Sequence, residues 1–181
     1  TKIGTEFTIG THRVEGSDLN DLPPLTATRM ANGDVFVAWA SEGDTNIDGV
    51  GQAVVGSIFD VATGSAGGNF TINTTTAGHQ SPPLLAALDN GQTLAVWYDS
   101  ARGDNSGLQI RGQFLNGDGS LNGTEFLVGI AEVEGNDAAP NHPVSIAALS
   151  DGNVAVVWAT ENTEGFVGDG SAIVVSIVDA A

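Results

Sequence analysis

One stretch is written three times, and no other feature constrains the fold as strongly. Its copies are Leu22 to Ala40 (LPPLTATRMANGDVFVAWA), Ser81 to Asp99 (SPPLLAALDNGQTLAVWYD) and His142 to Thr160 (HPVSIAALSDGNVAVVWAT). Each runs from a proline through a short apolar segment to an Asn-Gly or Asp-Gly turn. A second apolar segment then leads to a tryptophan. The three tryptophans of the chain, Trp39, Trp97 and Trp158, fill this single position. A period of about 60 residues marks a repeat architecture, in which each copy is one supersecondary unit.

The segments between the copies repeat as well. A short strand is expected at Glu6 to Gly10 (EFTIG), and it recurs at Asn69 to Asn73 (NFTIN) and Glu125 to Gly129 (EFLVG). Within the organising stretches, strands are expected at Leu25 to Met30 and Val35 to Trp39, at Leu84 to Leu88 and Thr93 to Tyr98, and at Val144 to Leu149 and Val154 to Trp158. A further strand follows each stretch: Gln52 to Phe59, Leu108 to Leu115 and Ala172 to Val178. Asn32-Gly33, Asn90-Gly91 and Asp151-Gly152 read as tight hairpin turns, since both positions tolerate positive φ. The 25 glycines and the low charged fraction of 15% suit such a turn-rich β protein.

The fold expected is therefore all-β, one repeat domain over residues 1–181. It has three repeats of a four-stranded antiparallel sheet, at 11–73, 74–129 and 130–181, plus the strand at 6–10. Inner strands apolar on both faces suit sheets sandwiched between neighbouring sheets. A radial stack of this kind is a β-propeller. The chain opens on the outer strand of a sheet and stops after the third strand of its last one, so the N-terminal strand is expected to complete the last sheet and remove an open edge. Two copies would make a six-bladed ring, each N-terminal strand completing the partner's last sheet. The alternative is a β-prism of three sheets closing within one chain.

The pattern of proline, apolar run, Asp/Asn-Gly, apolar run and tryptophan, followed by a polar loop and G-x-EF, resembles the DGGFVVVW-type tandem repeats of bacterial surface and secreted RTX-associated proteins. The matching residues are SDGNVAVVW at Ser150 to Trp158, NGDVFVAW at Asn32 to Trp39, and NFTINTTTAGHQSPPLLAAL at Asn69 to Leu88. That resemblance implies an extracellular or cell-surface bacterial protein, a propeller-like fold and calcium in its surroundings. The nonapeptide calcium roll of RTX proteins is absent. A weaker similarity is to the monocot mannose-binding β-prism lectins. Their sugar motif falls near Asp151-Gly152-Asn153-Val154, but its glutamine and tyrosine positions do not match, so no sugar site is carried over.

Charge and residue types narrow the function. Twenty-two acidic against five basic residues give a net charge of −17. Nucleic acid is excluded as a partner, because phosphate recognition needs a basic surface. Anionic membranes are disfavoured too, and no apolar run is long enough to span a bilayer. With no cysteine, the chain has neither disulfides nor thiolate chemistry. Excess carboxylate attracts hard cations, and Asp44-Thr45-Asn46-Ile47-Asp48-Gly49 has the D-x-N-x-D-G spacing that sets three oxygen ligands around calcium. Val55 stands where an EF-hand would have its closing acid, so Asp44, Asn46 and Asp48 need a further ligand, for which Glu42 is the candidate.

Trp97, Tyr98, Asp99 and Asp104 form the candidate glycan-contacting group, Asp104 within the tripeptide Arg102-Gly103-Asp104. Core packing between sheets is the competing role for the tryptophans. His12, His79 and His142 lie in connections and have no ligand spacing. No nucleophile motif or phosphate loop occurs. The function expected is a secreted, non-enzymatic structural or adhesive module stabilised by calcium. The alternatives are a carbohydrate-binding propeller and an accessory domain or subunit of a secreted hydrolase. A homodimer, a larger parent protein and a glycan are the expected partners. Thr1 opens the sequence without methionine, as expected of a processed product or a piece of something larger.

Overall fold

The structure, a computed structural model, describes residues 6, 8–10, 25–42, 52–100, 108–131, 144–160 and 172–180. Among them are twelve strands and no helix, and hence no helix long and apolar enough to cross a membrane. The strands form three antiparallel sheets, one per repeat. The first sheet runs β1 (Thr26–Arg29), β2 (Val35–Glu42), β3 (Gln52–Asp60), with β4 (Ser65–Ala66) and β5 (Phe70–Thr71) along its outer edge. The middle sheet runs β6 (Leu84–Ala87), β7 (Thr93–Asp99), β8 (Leu108–Leu115), β9 (Leu121–Ala131). The last runs β10 (Val144–Ala148), β11 (Val154–Thr160), β12 (Ala172–Val178).

The turns after the first strand of each sheet are one residue longer than the sequence suggests. Met30 N donates to Asp34 O, and Gly33 N donates to Met30 O, so the loop is Ala31-Asn32-Gly33. The same pair of bonds closes the loops ending at Gly91 and Gly152, and also the loop ending at Gly119 between β8 and β9. In each, glycine takes the left-handed conformation, with φ between 85° and 96°. The Asn or Asp before it accepts from the amide two residues on, as Asn90 Oδ1 does from Gln92 N at 2.9 Å. This is the three-residue hairpin with a left-handed glycine rather than the two-residue form.

Strand alternation then sends each sheet's two faces to different neighbours. From the first sheet, Met30, Phe36, Ala38, Val54 and Ile72 pack on Ala95, Trp97 and Leu115 of the middle one. On its other face, Leu94, Val96, Tyr98 and Ile110 pack on Val154, Val156 and Trp158 of the last sheet. The order is therefore first on middle on last, and each tryptophan faces the preceding sheet. For Trp39 no preceding sheet is found among the described residues. That indole clusters with Val37, Ala53, Val55 and Ile9.

The outer strands break at one shared place. In the first sheet the outer lane is interrupted between β4 and β5. In the middle sheet β9 shifts register between Gly112 and Phe114. The carbonyl released there is bonded from the neighbouring strand: Ser57 Oγ donates to Gly67 O at 3.2 Å, and Gln113 Nε2 to Asn122 O at 3.2 Å. Both side chains are fully buried.

The N-terminal strand departs from expectation. Residues 8–10 belong to no strand, and among the described residues the last sheet has three strands, not four. Gly10 instead lies against Trp39, where an added Cβ would come within 2.6 Å of the indole. Ile9 is held to the Trp39 cluster by apolar contact.

Gly129 meets Trp158 in the same way, with an added Cβ at 2.5 Å. The indole is rigid and enclosed, so Gly129→Ala should destabilise by about 2 kcal/mol through overpacking. Gly68, with nothing within 4 Å of an added Cβ, serves as the control. Gly68→Ala should leave the urea midpoint nearly unchanged, and equal midpoints for the two variants would contradict the packing.

Candidate functional site

The antiparallel order gives the stack two unlike ends. Tight turns close the end at Gly33, Gly91, Gly119 and Gly152. At the other end lie the last residues of β2, β7, β9 and β11 and the first of β1, β3, β8 and β12. The Trp158 Nε1 bond to Ile130 O, at 3.1 Å, ties this end of the last sheet to the same end of the middle one. The sequences of the segments joining these strand ends carry nine of the 22 acidic residues, including Asp44, Asp48, Asp104, Glu134 and Glu164.

The sequence-named metal ligands Asp44, Asn46 and Asp48 lie outside the described residues, as does Asp104. Of Glu42, the structure places the backbone as the last residue of β2, paired with Gln52 at the mouth of the loop. Among the described residues, no three His, Asp or Glu side chains gather as metal ligands would.

Trp97, Tyr98 and Asp99 are described, and none offers a surface. Trp97 is fully buried between the first and middle sheets, so its ring has no free face on which a sugar could stack. Tyr98 points the opposite way, into the core shared with the last sheet. Burial pushes its hydroxyl up to about 12, which keeps it protonated at any physiological pH. The expectation of a surface aromatic group fails here for a plain reason. Alternation in β7 aims one residue at each neighbouring sheet, and both neighbours are present.

Asp99 is fully buried in a polar cluster that the sequence reading missed. Arg111 Nε approaches Asp99 Oδ2 at 3.3 Å, and Arg111 Nη1 meets Glu125 Oε1 at 2.8 Å. Arg111 Nε also donates to Gln109 Oε1 at 3.0 Å. Glu125 Oε2 accepts from Thr74 N at 2.7 Å, Thr74 Oγ1 at 3.0 Å and Thr75 N at 2.9 Å. Thr74 and Thr75 follow the outer strand of the first sheet, so Glu125 clasps one sheet to the next. Gln80, also fully buried, forms an isolated bridge with Asp99. The signal was present in the sequence: Arg111 is one of five basic residues and sits in mid-strand, where a charge needs partners.

Burial alone would raise the Glu125 carboxyl. The amides of Thr75 and Thr74, with their side chains, outweigh it and hold the group below its ordinary value. Two carboxylates near one cation suggest glycosidase chemistry only when substrate can reach them. Here the Asp99 side chain is 0% exposed and that of Glu125 2%. The carboxylates are buried and only Arg111, at 21%, reaches solvent, so the geometry fits a clamp between sheets.

A groove of about 450 Å³ lies beside the open edge of the last sheet. Phe114, Phe126, Leu127 and Val128 line one side, and Ser176 and Ile177 the other. Phe114 and Phe126 stack within it, with centroids 5.7 Å apart.

None of the family models and none of the curated proteins compared matches the sequence. Among solved structures, the chain is similar to the endo-arabinase from Bacteroides thetaiotaomicron VPI-5482, at a TM-score of 0.52 and 15% identity. The similarity covers 83% of this chain and 54% of that one, so the chain spans about half the length of the protein it matches. At that identity the likeness is one of all-β fold.

Because the folded Glu125 carboxyl sits below its unfolded value, its contribution to stability is present above about pH 4.5 and is lost as pH falls through the folded value. Glu125→Gln should cost about 2 kcal/mol at neutral pH, the worth of bonds to a charged group. It should also flatten the loss of stability between pH 5 and pH 3. Urea unfolding at several pH values checks both, and an unchanged acid slope would show that the carboxylate is not the titrating clamp.

Proposed function

We propose that this chain is a structural or adhesive module that works outside the cell, its three sheets serving as blades of a propeller-like array and its acidic end holding calcium. The observation that carries this reading is the division of the stack. Tight turns close one end, while the segments at the other carry the excess of carboxylate. The buried charges are consumed in joining sheets. The blade reading is supported by the inner strands, since β1 lies beside β6 and β6 beside β10. A cation at Asp44, Asn46 and Asp48, with Glu42 at the mouth of that loop, would offset repulsion among acids that a net charge of −17 crowds together.

A second reading is glycan binding at the same end. It is favoured by the fold-level likeness to an endo-arabinase, a protein whose substrate class is a polysaccharide. It differs from the first in what the connections bind. No hydrolysis is part of either reading.

Stripping the metal with a chelator should lower Tm by about 5–10 °C, the shift expected when a ligand at a hundred times its Kd is removed from a domain of this size. Calcium should restore it and magnesium should not. Asp44→Asn with Asp48→Asn should abolish the calcium response and raise the apo Tm slightly, since two of the repelling charges are gone. A stripped protein indifferent to calcium would end the metal reading. Binding to one sugar class on a glycan array would favour the second reading, and release of reducing sugar from arabinan would overturn both.

A further inference from the structure

Four Asn-Gly pairs occur in the chain, Asn32-Gly33, Asn90-Gly91, Asn116-Gly117 and Asn122-Gly123, and all lie among the described residues. As peptides they share one reactivity. Glycine has no Cβ, so its backbone nitrogen can reach the Cγ of the asparagine before it. The fold makes the four unequal. Asn32 Nδ2 donates to Asp34 Oδ2 at 2.8 Å, and Asn32 Oδ1 accepts from Asp34 N at 3.0 Å. Asn90 is held in the same way by Gln92, at 3.2 and 2.9 Å. In both turns the glycine amide is occupied too, Gly33 N donating to Met30 O and Gly91 N to Leu88 O. Asn116 Nδ2 donates to Ser120 Oγ at 3.0 Å, and the backbone N and O of Asn116 are both bonded across the hairpin.

Asn122 differs. Its backbone carbonyl accepts from Gln113 Nε2 at 3.2 Å, but its carboxamide makes no hydrogen bond among the described residues. Gly123 is exposed, has a φ of 73° and has nothing within 4 Å of an added Cβ. The ladder is also broken here. Phe114 pairs with Asn122 and Gly112 with Phe126, so residues 123–125 stand opposite Gln113 alone. In the first sheet the same break holds only residues 68 and 69, between Gly67 and Phe70. The backbone at this break therefore admits a change in length. Exposure is a property of the position. Gly67, whose carbonyl accepts from Ser57 as that of Asn122 does from Gln113, is exposed although the middle sheet packs on the first.

We infer that Asn122-Gly123 is a site of self-modification, at which the folded chain converts this asparagine to aspartate and isoaspartate. A base in the solvent takes the proton of Gly123 N. The nitrogen attacks Asn122 Cγ, and the Cγ–Nδ2 bond breaks. Nδ2 takes a proton from water and leaves as ammonia, which closes a succinimide ring. Water then opens the ring. Attack at Cγ gives aspartate. Attack at the backbone carbonyl gives isoaspartate, with the chain running through Cβ and Cγ and one carbon longer. One water is consumed and one ammonia released. Either product adds a negative charge to the rim of the groove, where Asn122, Gly123 and Thr124 lie. An added backbone carbon would break the bonds that close the turns at Asn32 and Asn90. The break in β9 already accommodates one residue more than its counterpart in the first sheet. The inference rests on neither the cation nor the glycan reading, and not on the sheets being blades.

Peptide mapping by mass spectrometry, during incubation of the folded chain in mildly alkaline buffer, tests this. The Asn122 peptide should convert about tenfold faster than those of Asn32, Asn90 and Asn116, which must first give up their side-chain bonds. In the guanidinium-unfolded chain all four should convert at similar rates. Asn122→Gln should leave the circular dichroism unchanged and remove most of the early product, since glutamine would have to close a larger ring. The converted protein should keep the urea midpoint of the fresh one. Three results would each overturn the inference: conversion at Asn32, Asn90 or Asn116 as early as at Asn122, an Asn122 that converts only in the unfolded chain, or a converted protein that unfolds at lower urea.

Discussion

The close approach of an indole to the backbone of the preceding outer strand is the contact on which the rest of this structure depends. At Gly129 and Gly10 the tryptophan lies where a Cβ would be. That fixes the distance between neighbouring sheets at one end and obliges the facing residues to be small or apolar. Dispersion at such contacts is individually weak, but an enclosed indole makes many of them. The third copy of the contact is built differently. Asn73 stands where the others have glycine, and its side chain works as a backbone substitute. Asn73 Oδ1 accepts from Val54 N at 2.8 Å, and Nδ2 donates to Thr75 O at 2.8 Å. The chain then turns directly into the threonines that Glu125 binds.

That junction joins packing to electrostatics. Taking Arg111 out of water is costly, and its two carboxylates return the cost only because each is itself hydrogen-bonded or enclosed. The equivalents of Arg111 in the other sheets are Val55 and Val174. Two interfaces that both have an apolar core are thus fastened further by different chemistry, one by the charged Glu125 clasp and one by the neutral bond from Trp158 Nε1 to Ile130 O. A repeat protein with identical interfaces could slip by one sheet. A single charged clasp between the first and middle sheets favours one register over its neighbours.

How much of this was legible in the sequence depended on range. Strand positions were readable because alternation and turn residues are local. Most strand bounds, from Gln52 at the start of β3 to Ala172–Val178 as β12, fall within a few residues of the expected ones. The turn type was misjudged by one residue, since Asn-Gly suits both the two- and three-residue hairpins and only the bonds to Met30 and Leu88 decide between them. The burial of Trp97 was a matter of which sheet stands opposite, which no local pattern states. Arg111 and Glu125 are 14 positions apart and Thr74 lies in another repeat, so their meeting required the fold. Residues 6–10 were expected as a strand completing the last sheet; residues 8–10 belong to no strand and Gly10 lies against Trp39, a placement that depends on what stands across from that indole and that no repeat signature states.

The composition of β12 has a consequence for handling the protein. Ala172–Val178 reads AIVVSIV, seven residues with no charge, no proline and no glycine. Edge strands in soluble proteins are usually guarded by such residues or by bulges, and this one has neither. It also matches the composition of segments that stack into cross-β fibrils. The guard is instead global, the mutual repulsion of chains carrying −17 at neutral pH. Near the isoelectric point of about 4.1 that repulsion vanishes while the strand is unchanged. The strand then becomes a seed on which further copies can stack, and acid storage becomes an amyloid hazard.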